Sequence, residues 1–581
     1  MKRRLRSTKR QRAPHLMPGY DVVGKPQLAE VEIDLAGEAQ RDSRRRVGIT
    51  LMAFAAAFAI VSARLLQLGL AGEMEGPAQV VAQSETSIVR PEIFDRNGEL
   101  MATNIVTATL FADGRDILDA EEAAEAIVSV LPDLDDAALA EKLASGRPFI
   151  PIKRDLSPRQ QAAVHNLGIP GLGFQRKSRR VYPNGNVAAH VLGLVDQDNR
   201  GIAGMELYID QNLSVTTADD RTPLEPVFLS IDMRVQHAVR DELMRAMSEF
   251  SAIGATGVVL DVKTGEVIAS VSLPDFDPNN PGDASKDALF NRATVGVYEM
   301  GSTFKAFTVA AALDSGMVHL TDSFDATQPI KVSRFTISDY HAENRWLTVP
   351  EIFMHSSNIG TAKMALAIGR DRHRDFLEKL GLTSRLETEL PESALPLVPA
   401  RWTDLSTMTI SFGHGLSVTP LQLVSAGAVL VNGGYRVHPS FLRGGHPEGP
   451  ERVISSQTST AVKSLMRAVV EQGTGKKADT EGYPVMGKTG TAEKAVNGRY
   501  AKRALLTSFL SAFPANDPRY QMVVMLDEPQ PTKETFGFAT AGWNAAPLTS
   551  RVVARIAPIL GLRPVERWRV PTQEAQLVSY E

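Results

Sequence analysis

Thr256-Gly257-Val258-Val259-Leu260-Asp261-Val262, then Lys263-Thr264-Gly265, then Glu266-Val267-Ile268-Ala269-Ser270-Val271 is the stretch on which the fold turns. Both arms are rich in β-branched residues, whose stiff side chains suit a pleated surface, and the Lys-Thr-Gly between them reads as a hairpin turn. Downstream, helical patterning covers Phe304–Leu313 and Glu351–Ala367. Strand patterning returns at Pro484–Gly487, Leu505–Ala512 and Gln521–Leu526, and a last helix over Leu548–Ile556 ends before Pro558. Strands, a helical block, more strands and a closing helix predict an α+β fold with an antiparallel sheet flanked by helices, unlike the regular alternation of a doubly wound parallel sheet. No internal repeat is evident.

Upstream of the hairpin, residues 72–225 mix short strands with a helical stretch near Glu121–Leu143; the polar segments 176–186 and 215–224 read as connections. Further back, the apolar run Val47–Ala63 is followed by Arg64 and Leu65-Leu66-Gln67-Leu68. At ~1.5 Å per residue this stretch is long enough for a ~30 Å hydrocarbon core if Arg64 reaches the far interface. Residues 1–46 hold about twice as many Lys and Arg as Asp and Glu and end on Arg44-Arg45-Arg46, and Pro14, Pro18, Gly19, Gly24 and Pro26 break any regular pattern. Basic residues on that side predict a cytoplasmic N-terminus with the bulk of the chain outside. A signal peptide cleaved near Gly69-Leu70-Ala71 and a buried core helix are the competing readings; the long basic n-region and the triple Arg weigh against them.

The chain has 581 residues, length for two or three cores, with 43% hydrophobic and 22% charged residues. A net charge of −4 argues against nucleic acid as a partner. The absence of cysteine excludes disulfides, Cys-ligated metals and a Cys nucleophile. The 11 histidines show no metal-ligand spacing. Gly473-Thr474-Gly475-Lys476-Lys477 has the wrong glycine spacing for a phosphate loop, with Lys477 at the Ser/Thr position. The acidic residues of 114–136 read as a solvated helix face.

Three short motifs carry chemistry. In Ser302-Thr303-Phe304-Lys305, one helical turn separates a hydroxyl from an amine, which can take its proton only if burial or a neighbouring cation keeps that amine neutral. Gly301 permits a tight entry turn, and a helix start favours developing negative charge. Ser356-Ser357-Asn358 offers a second hydroxyl for proton relay and an amide for a substrate peptide, though it is also ordinary cap chemistry. Lys488-Thr489-Gly490-Thr491 would give a strand edge with backbone N–H groups, a cation and hydroxyls, Gly490 allowing close approach. Each motif alone is common: Lys263-Thr264-Gly265 repeats the third as a mere turn. Their order at 302, 356 and 488 in one α+β region is what carries weight.

On these motifs the chain resembles class B penicillin-binding proteins from the apolar run to about residue 560. Tyr298-Glu299-Met300-Gly301-Ser302-Thr303-Phe304-Lys305 matches the nucleophile segment, with Met300 where the family usually has proline. Asp95-Arg96-Asn97-Gly98, Arg180-Val181-Tyr182-Pro183 and Gly201-Ile202-Ala203-Gly204-Met205-Glu206 resemble its amino-terminal pedestal; Pro91 stands where glycine is common and questions the strand geometry there. Asp339-Tyr340-His341, Ser356-Ser357-Asn358-Ile359-Gly360, Ser411 to Leu423 (with His414 where tyrosine is commoner) and Gly487 to Ala492 with Asn497-Gly498-Arg499-Tyr500 resemble the septal, penicillin-binding protein 3 branch.

The resemblance implies a serine D,D-transpeptidase that cross-links peptidoglycan stem peptides at the division septum and is acylated by β-lactams, without metal or organic cofactor. Ser302 would attack the penultimate D-Ala carbonyl, with Lys305 as base, Ser356 as relay, Asn358 on the peptide and Lys488 supporting the proton network. Thr489 and Thr491 would receive the substrate carboxylate beside Gly490, and the N–H groups of Ser302 and Thr491 would hold the oxyanion. Expected partners are a membrane-embedded glycan polymerase of the SEDS family and other division proteins, at the inner membrane with a periplasmic catalytic domain. The expected organisation is a basic cytoplasmic tail over 1–46, a transmembrane helix over 47–68, a pedestal over 72–225, a transpeptidase domain over 226–568 and a tail over 569–581. An elongation-type transpeptidase shares all this chemistry. A β-lactamase is disfavoured by the large module before the nucleophile, a dead scaffold by the intact motifs, and a β-lactam sensor by the short cytoplasmic tail.

Overall fold

The computed structural model describes residues 48–49, 51–64, 88–213, 216–217, 224–332, 335–446, 449–496 and 499–565. The chain forms two bodies, residues 1–85 and 86–581. In the first, residues 51–64 are helical, and Leu51, Met52, Phe54, Phe58, Ile60 and Val61 leave their apolar side chains exposed. Among the described residues no helix is long and apolar enough to cross a membrane. The whole of the expected tail over 1–46, several residues of the expected span over 47–68 and the tail over 569–581 lie outside the described residues.

The second body begins with a sheet built on the long strand Leu100–Ala112. It pairs antiparallel with Ile150–Leu156 and, from Thr103 to Ala112, with Leu172–Val181. The latter strand takes in much of 176–186, which the sequence reading made a connection. Its polarity has a physical reason: Leu172–Val181 pairs on one side only, and a charged edge strand resists adding another chain. Ile93–Phe94 extends the sheet and pairs in parallel with Val227–Phe228. Pro91, buried and without an amide hydrogen, falls in the gap between strands Ile88–Val89 and Ile93–Phe94. The expected helix over Glu121–Leu143 is two, Ala120–Val130 and Asp136–Leu143. Pro132 breaks the run and the Asp135 carboxylate, accepting from the Ala138 amide at 2.7 Å, caps the second helix.

Helix α1 (Met233–Glu249) leads into the opening hairpin, strands β1 (Gly254–Asp261) and β2 (Val267–Leu273). The helical block supplies α2 (Lys305–Asp314), α3 (Asn358–Ile368), α4 (Pro420–Val431) and α5 (Ser456–Glu471). Strands β3 (Met486–Val496), β4 (Arg499–Phe513) and β5 (Tyr520–Asp527) and helix α6 (Ala545–Ile559) complete the domain. The five strands form one antiparallel sheet in the order β2-β1-β5-β4-β3. Side-chain alternation divides its residues between two cores. Val259, Met522 and Val524 join the core that holds Val239 of α1 and Val552 of α6, while Val258, Val523 and Met525 join the core that holds Phe307 of α2, Val424 of α4 and Leu465 of α5. Each such side chain contributes about 1.5–3 kcal/mol on full burial.

Two more helix expectations need correction. The helix expected over Glu351–Ala367 is interrupted: Val349–Met354 ends at His355, Ser356 takes a left-handed φ of 60°, and Ser357 caps α3. The closing helix runs past Pro558 to Ile559, since a proline in the last turn forfeits only one hydrogen bond.

Candidate active site

Gly301–Phe304 form a 3₁₀ turn that runs directly into α2, so Ser302 sits just ahead of the helix and Lys305 begins it. Gly301 has a φ of 54°, and a Cβ there would lie 2.6 Å from the Thr491 carbonyl oxygen. Gly490 presses from the other side: its Cβ would meet Ser508 Oγ at 2.5 Å and the Met300 carbonyl at 2.6 Å. The absence of two methyl groups thus lets the nucleophile turn seat against edge strand β3.

Behind the turn lies a buried cluster. Lys305 and Lys488 are both 0% exposed. Lys305 Nζ donates to Ser356 Oγ at 3.0 Å and also to the Ser356 carbonyl; Lys488 Nζ donates to the same Ser356 Oγ at 3.0 Å and to the Thr489 carbonyl at 3.4 Å. One hydroxyl therefore bridges two amines. Its two lone pairs are engaged, which leaves its single proton to point elsewhere. Burial pushes Lys305 well below the ordinary lysine range, the neighbouring Lys488 adds to this, and Asp339 opposes it. Burial alone pulls Lys488 down to about 7. Two ammonium groups cannot share a dry site, so near neutrality an amine with a free lone pair stands beside Ser302.

The second motif is held by a residue outside it. Asp339 Oδ2 accepts from the Ser357 hydroxyl at 2.7 Å and Oδ1 from the Ile359 amide at 2.9 Å, fixing the entry to α3. Asn358 Nδ2 donates to the Ser338 carbonyl at 2.9 Å. The third motif lies on β3 as expected, Thr489 opposite Phe509 and Thr491 opposite Thr507. Thr489 Oγ1 pairs with Thr474 Oγ1 at 2.7 Å, and Thr491 Oγ1 accepts from the Ala541 amide at 3.1 Å. Ser302, Ser356, Asn358, Thr489 and Thr491 line one open cleft of about 620 Å³, while Lys305 and Lys488 lie beneath it. The other Lys-Thr-Gly is a turn, with the Asp261 carboxylate accepting from the Lys263 and Thr264 amides at 2.9 and 3.2 Å and Lys263 exposed.

Sequence reading missed part of this cleft. Thr474, Lys476 and Lys477 line it from the segment set aside as a failed phosphate loop, and Trp543 lines it with Lys477 Nζ 3.5 Å from its ring centre. Nothing in the local sequence connects them to Thr489; the ends of α5 and α6 bring them there. Among the described residues no group of His, Cys, Asp or Glu is placed to hold a metal ion.

Residues 255–550 match the family described as the penicillin binding protein transpeptidase domain, and residues 86–217 match the penicillin-binding protein dimerisation domain. The chain belongs to the penicillin-binding protein family. Its similarity to the "Probable peptidoglycan D,D-transpeptidase FtsI" of Caulobacter vibrioides is 41% identity, covering 91% of this chain and 90% of that one. With the peptidoglycan D,D-transpeptidase FtsI of Escherichia coli K12 it shares 31% identity over 80% and 84%. Among solved structures, penicillin binding protein 3 from Mycobacterium tuberculosis, complexed with aztreonam, superposes with a TM-score of 0.65 at 26% identity, covering 83% of this chain and 98% of that one. This penicillin-binding protein therefore has two family domains, of mixed α and β structure, and is an enzyme of the serine D,D-transpeptidase class.

Proposed function

We propose that this penicillin-binding protein cross-links peptidoglycan stem peptides at the division septum through an acyl-enzyme on Ser302, and that β-lactams acylate the same hydroxyl. The observation that carries the reading is the Ser356 hydroxyl shared by two buried amines beside the Ser302 turn. In the first half-reaction Ser302 Oγ attacks the carbonyl carbon of the penultimate D-Ala and its proton passes to neutral Lys305. Through Ser356 that proton reaches the nitrogen of the departing D-Ala, so the C–N bond breaks without expelling an amide anion. Lys488 keeps the network from holding a second proton.

Backbone geometry supports the oxyanion assignment. In an antiparallel strand the N–H and C=O of one residue point to the same side. The Thr491 carbonyl faces the Gly301 turn, so its N–H also opens on the nucleophile side of edge strand β3. With the Ser302 N–H it can hold the developing alkoxide. The hydroxyls of Thr489 and Thr491, with Lys476 and Lys477 lining the same cleft, suit the terminal carboxylate of the donor, and the Asn358 amide suits its peptide group.

Residues 47–68 serve as a single membrane span, with 1–46 in the cytoplasm and the catalytic domain in the periplasm. The triple Arg at 44–46 and the solvent-facing apolar side chains of helix 51–64 support this. The FtsI relatives support the septal assignment, and with it contact with a SEDS-family polymerase and other division proteins. Two measurements test the reading. A fluorescent penicillin labels the purified protein, and Ser302→Ala, at unchanged circular dichroism, abolishes the label; undiminished labelling places the nucleophile elsewhere. A tagged chain gathers at mid-cell, and its depletion gives filaments. Lateral-wall signal and rounded cells would indicate an elongation enzyme.

A further inference from the structure

Two clefts meet at the Ser302 turn. Beside the catalytic cleft runs a larger one of about 1100 Å³, lined by Tyr298, Glu299, Ser406, Lys494 and Tyr500 among others. Asn358, His414 and Glu493 line both, so these three side chains form the wall between them. The two sides differ in charge. Lys476 and Lys477 line the catalytic cleft above buried Lys305 and Lys488, an environment for the donor's carboxylate. On the other side, Glu299 Oε1 is fixed by the Gly415 amide at 2.8 Å and the Tyr500 hydroxyl at 3.1 Å. The cation of that cleft, Lys494, is engaged by Asp527 at 2.7 Å and Glu528 at 2.8 Å. The second cleft therefore presents two carboxylates near the Ser302 turn, Glu493 on the dividing wall and Glu299 beside it.

We propose that this second cleft is the subsite for the acceptor amine, in which Glu299 and Glu493 draw in its ammonium form and His414 removes the proton that must leave before the nitrogen can attack. The inference rests on the transpeptidase reading above. A primary amine at neutral pH is mostly an ammonium ion without a free lone pair, so an acyl-enzyme resolved by an amine needs both an anionic site and a base. His414 is placed for that task, with the Tyr500 ring 5.7 Å away edge-on and Phe412 at 5.4 Å. Three charged groups act on it, each from a different element. Burial holds the imidazole below its ordinary pKa and Lys305 of α2 adds to this, while Glu299 before the nucleophile turn, Glu493 of β3 and the Phe412 carbonyl pull it back up. The ring is thus neutral at neutral pH and able to accept a proton.

The step balances. The ammonium gives one proton to His414; the nitrogen attacks the acyl carbon on Ser302; the new C–N bond forms and the C–Oγ bond breaks. The second nitrogen-bound proton passes through neutral Lys305 to Ser302 Oγ, and His414 returns its proton to water. Enzyme and charge are restored, and the product is the amide.

The test uses the full-length protein in detergent, a D-alanyl thioester donor and Nα-acetyl-lysinamide as a carboxylate-free probe amine. The readout is the ratio of aminolysis to hydrolysis of one acyl-enzyme, which does not depend on how fast that intermediate forms. Glu493→Gln is expected to lower the ratio by about ten-fold through weaker saturation by the amine. His414→Gln is expected to lower it similarly and to remove the acid limb of the aminolysis pH profile. Ratios within about two-fold of wild type in both variants overturn the proposal. An acid limb that persists in His414→Gln removes His414 as the base. If the wild-type chain forms no acyl-enzyme with the thioester or with penicillin, the transpeptidase reading itself has failed.

Discussion

At the scale of single residues, Lys488 sets activity against stability. Its amine titrates near 7 in the folded protein because it is buried, against ~10.4 in an unfolded chain. Between those values the unfolded state binds more protons, so this residue makes stability rise with pH over about 7 to 10, and its burial penalty is felt in full below that window. Lys488→Met removes both the penalty and the slope. By chemical denaturation we expect the variant to be more stable than wild type by about 1–3 kcal/mol at pH 7, with the gap closing towards pH 10, while penicillin acylation falls by orders of magnitude. Lys263→Ala, on the exposed turn, is expected to change stability by about 0.5 kcal/mol or less and to leave acylation near wild type. The opposite ranking would mean that the Lys263-Thr264-Gly265 strand walls the site. The identities of Ser302, Lys305, Ser356 and Lys488 were legible because motif order is a one-dimensional property. The pairing of Thr489 with Thr474 was not, because the intervening segment, with its 3₁₀ turn Lys476–Ala478, must fold back before the two hydroxyls meet.

At the scale of elements, patterning finds helices more easily than their interruptions. Helical periodicity over Glu351–Ala367 is real on both sides of the break, and Thr348 with Glu351 even forms a capping box. What the pattern cannot express is one residue in a left-handed conformation, and that residue is Ser356. The break tips its hydroxyl between the two lysines, so the kink and the relay are one feature. A non-glycine residue at positive φ costs roughly 1 kcal/mol, so Ser356→Gly should exceed Ser356→Ala in stability by about that amount. Both variants lose the hydroxyl and should be severely slowed in acylation. Urea midpoints and stopped-flow acylation of the pair check this; equal stabilities would mean that the strain is absent in solution. Strand ends were misplaced for a related reason. The polar halves of β3 and β4 beyond Glu493 and before Leu505 pair with each other at the sheet edge, where burial no longer enforces an apolar alphabet.

At the scale of the whole molecule, motifs quoted from the amino-terminal module turn out to be its joint with the catalytic domain. Asp95 is buried, and its carboxylate accepts from the amides of Asn97 at 2.7 Å and Glu99 at 2.8 Å within its own turn, and from the Met233 amide at 3.1 Å at the start of α1. Around it, Arg96 reaches Glu266 at 3.1 Å, the Phe94 and Phe228 rings stack at 5.5 Å, and the Tyr182 N–H donates to Asn279 Oδ1 at 3.0 Å while Asn279 Nδ2 donates to the Tyr182 carbonyl at 2.9 Å. Asp95→Ala removes the acceptor of three amides, of which those of exposed Asn97 and Glu99 can turn to water and that of buried Met233 cannot, a loss of about 1–3 kcal/mol for each left unpaired. The core that holds Phe307 runs on into the amino-terminal module through Ile93, Met101 and Met205, but the Asp95 carboxylate bonds only its own turn and the start of α1, so the damage should stay at the joint. The expected outcome is faster amide exchange at 93–99 and 229–234, a lowered first unfolding transition, and penicillin acylation within about three-fold of wild type. Were acylation lost along with the joint, the amino-terminal module would be acting on the Ser302 site and not merely carrying it.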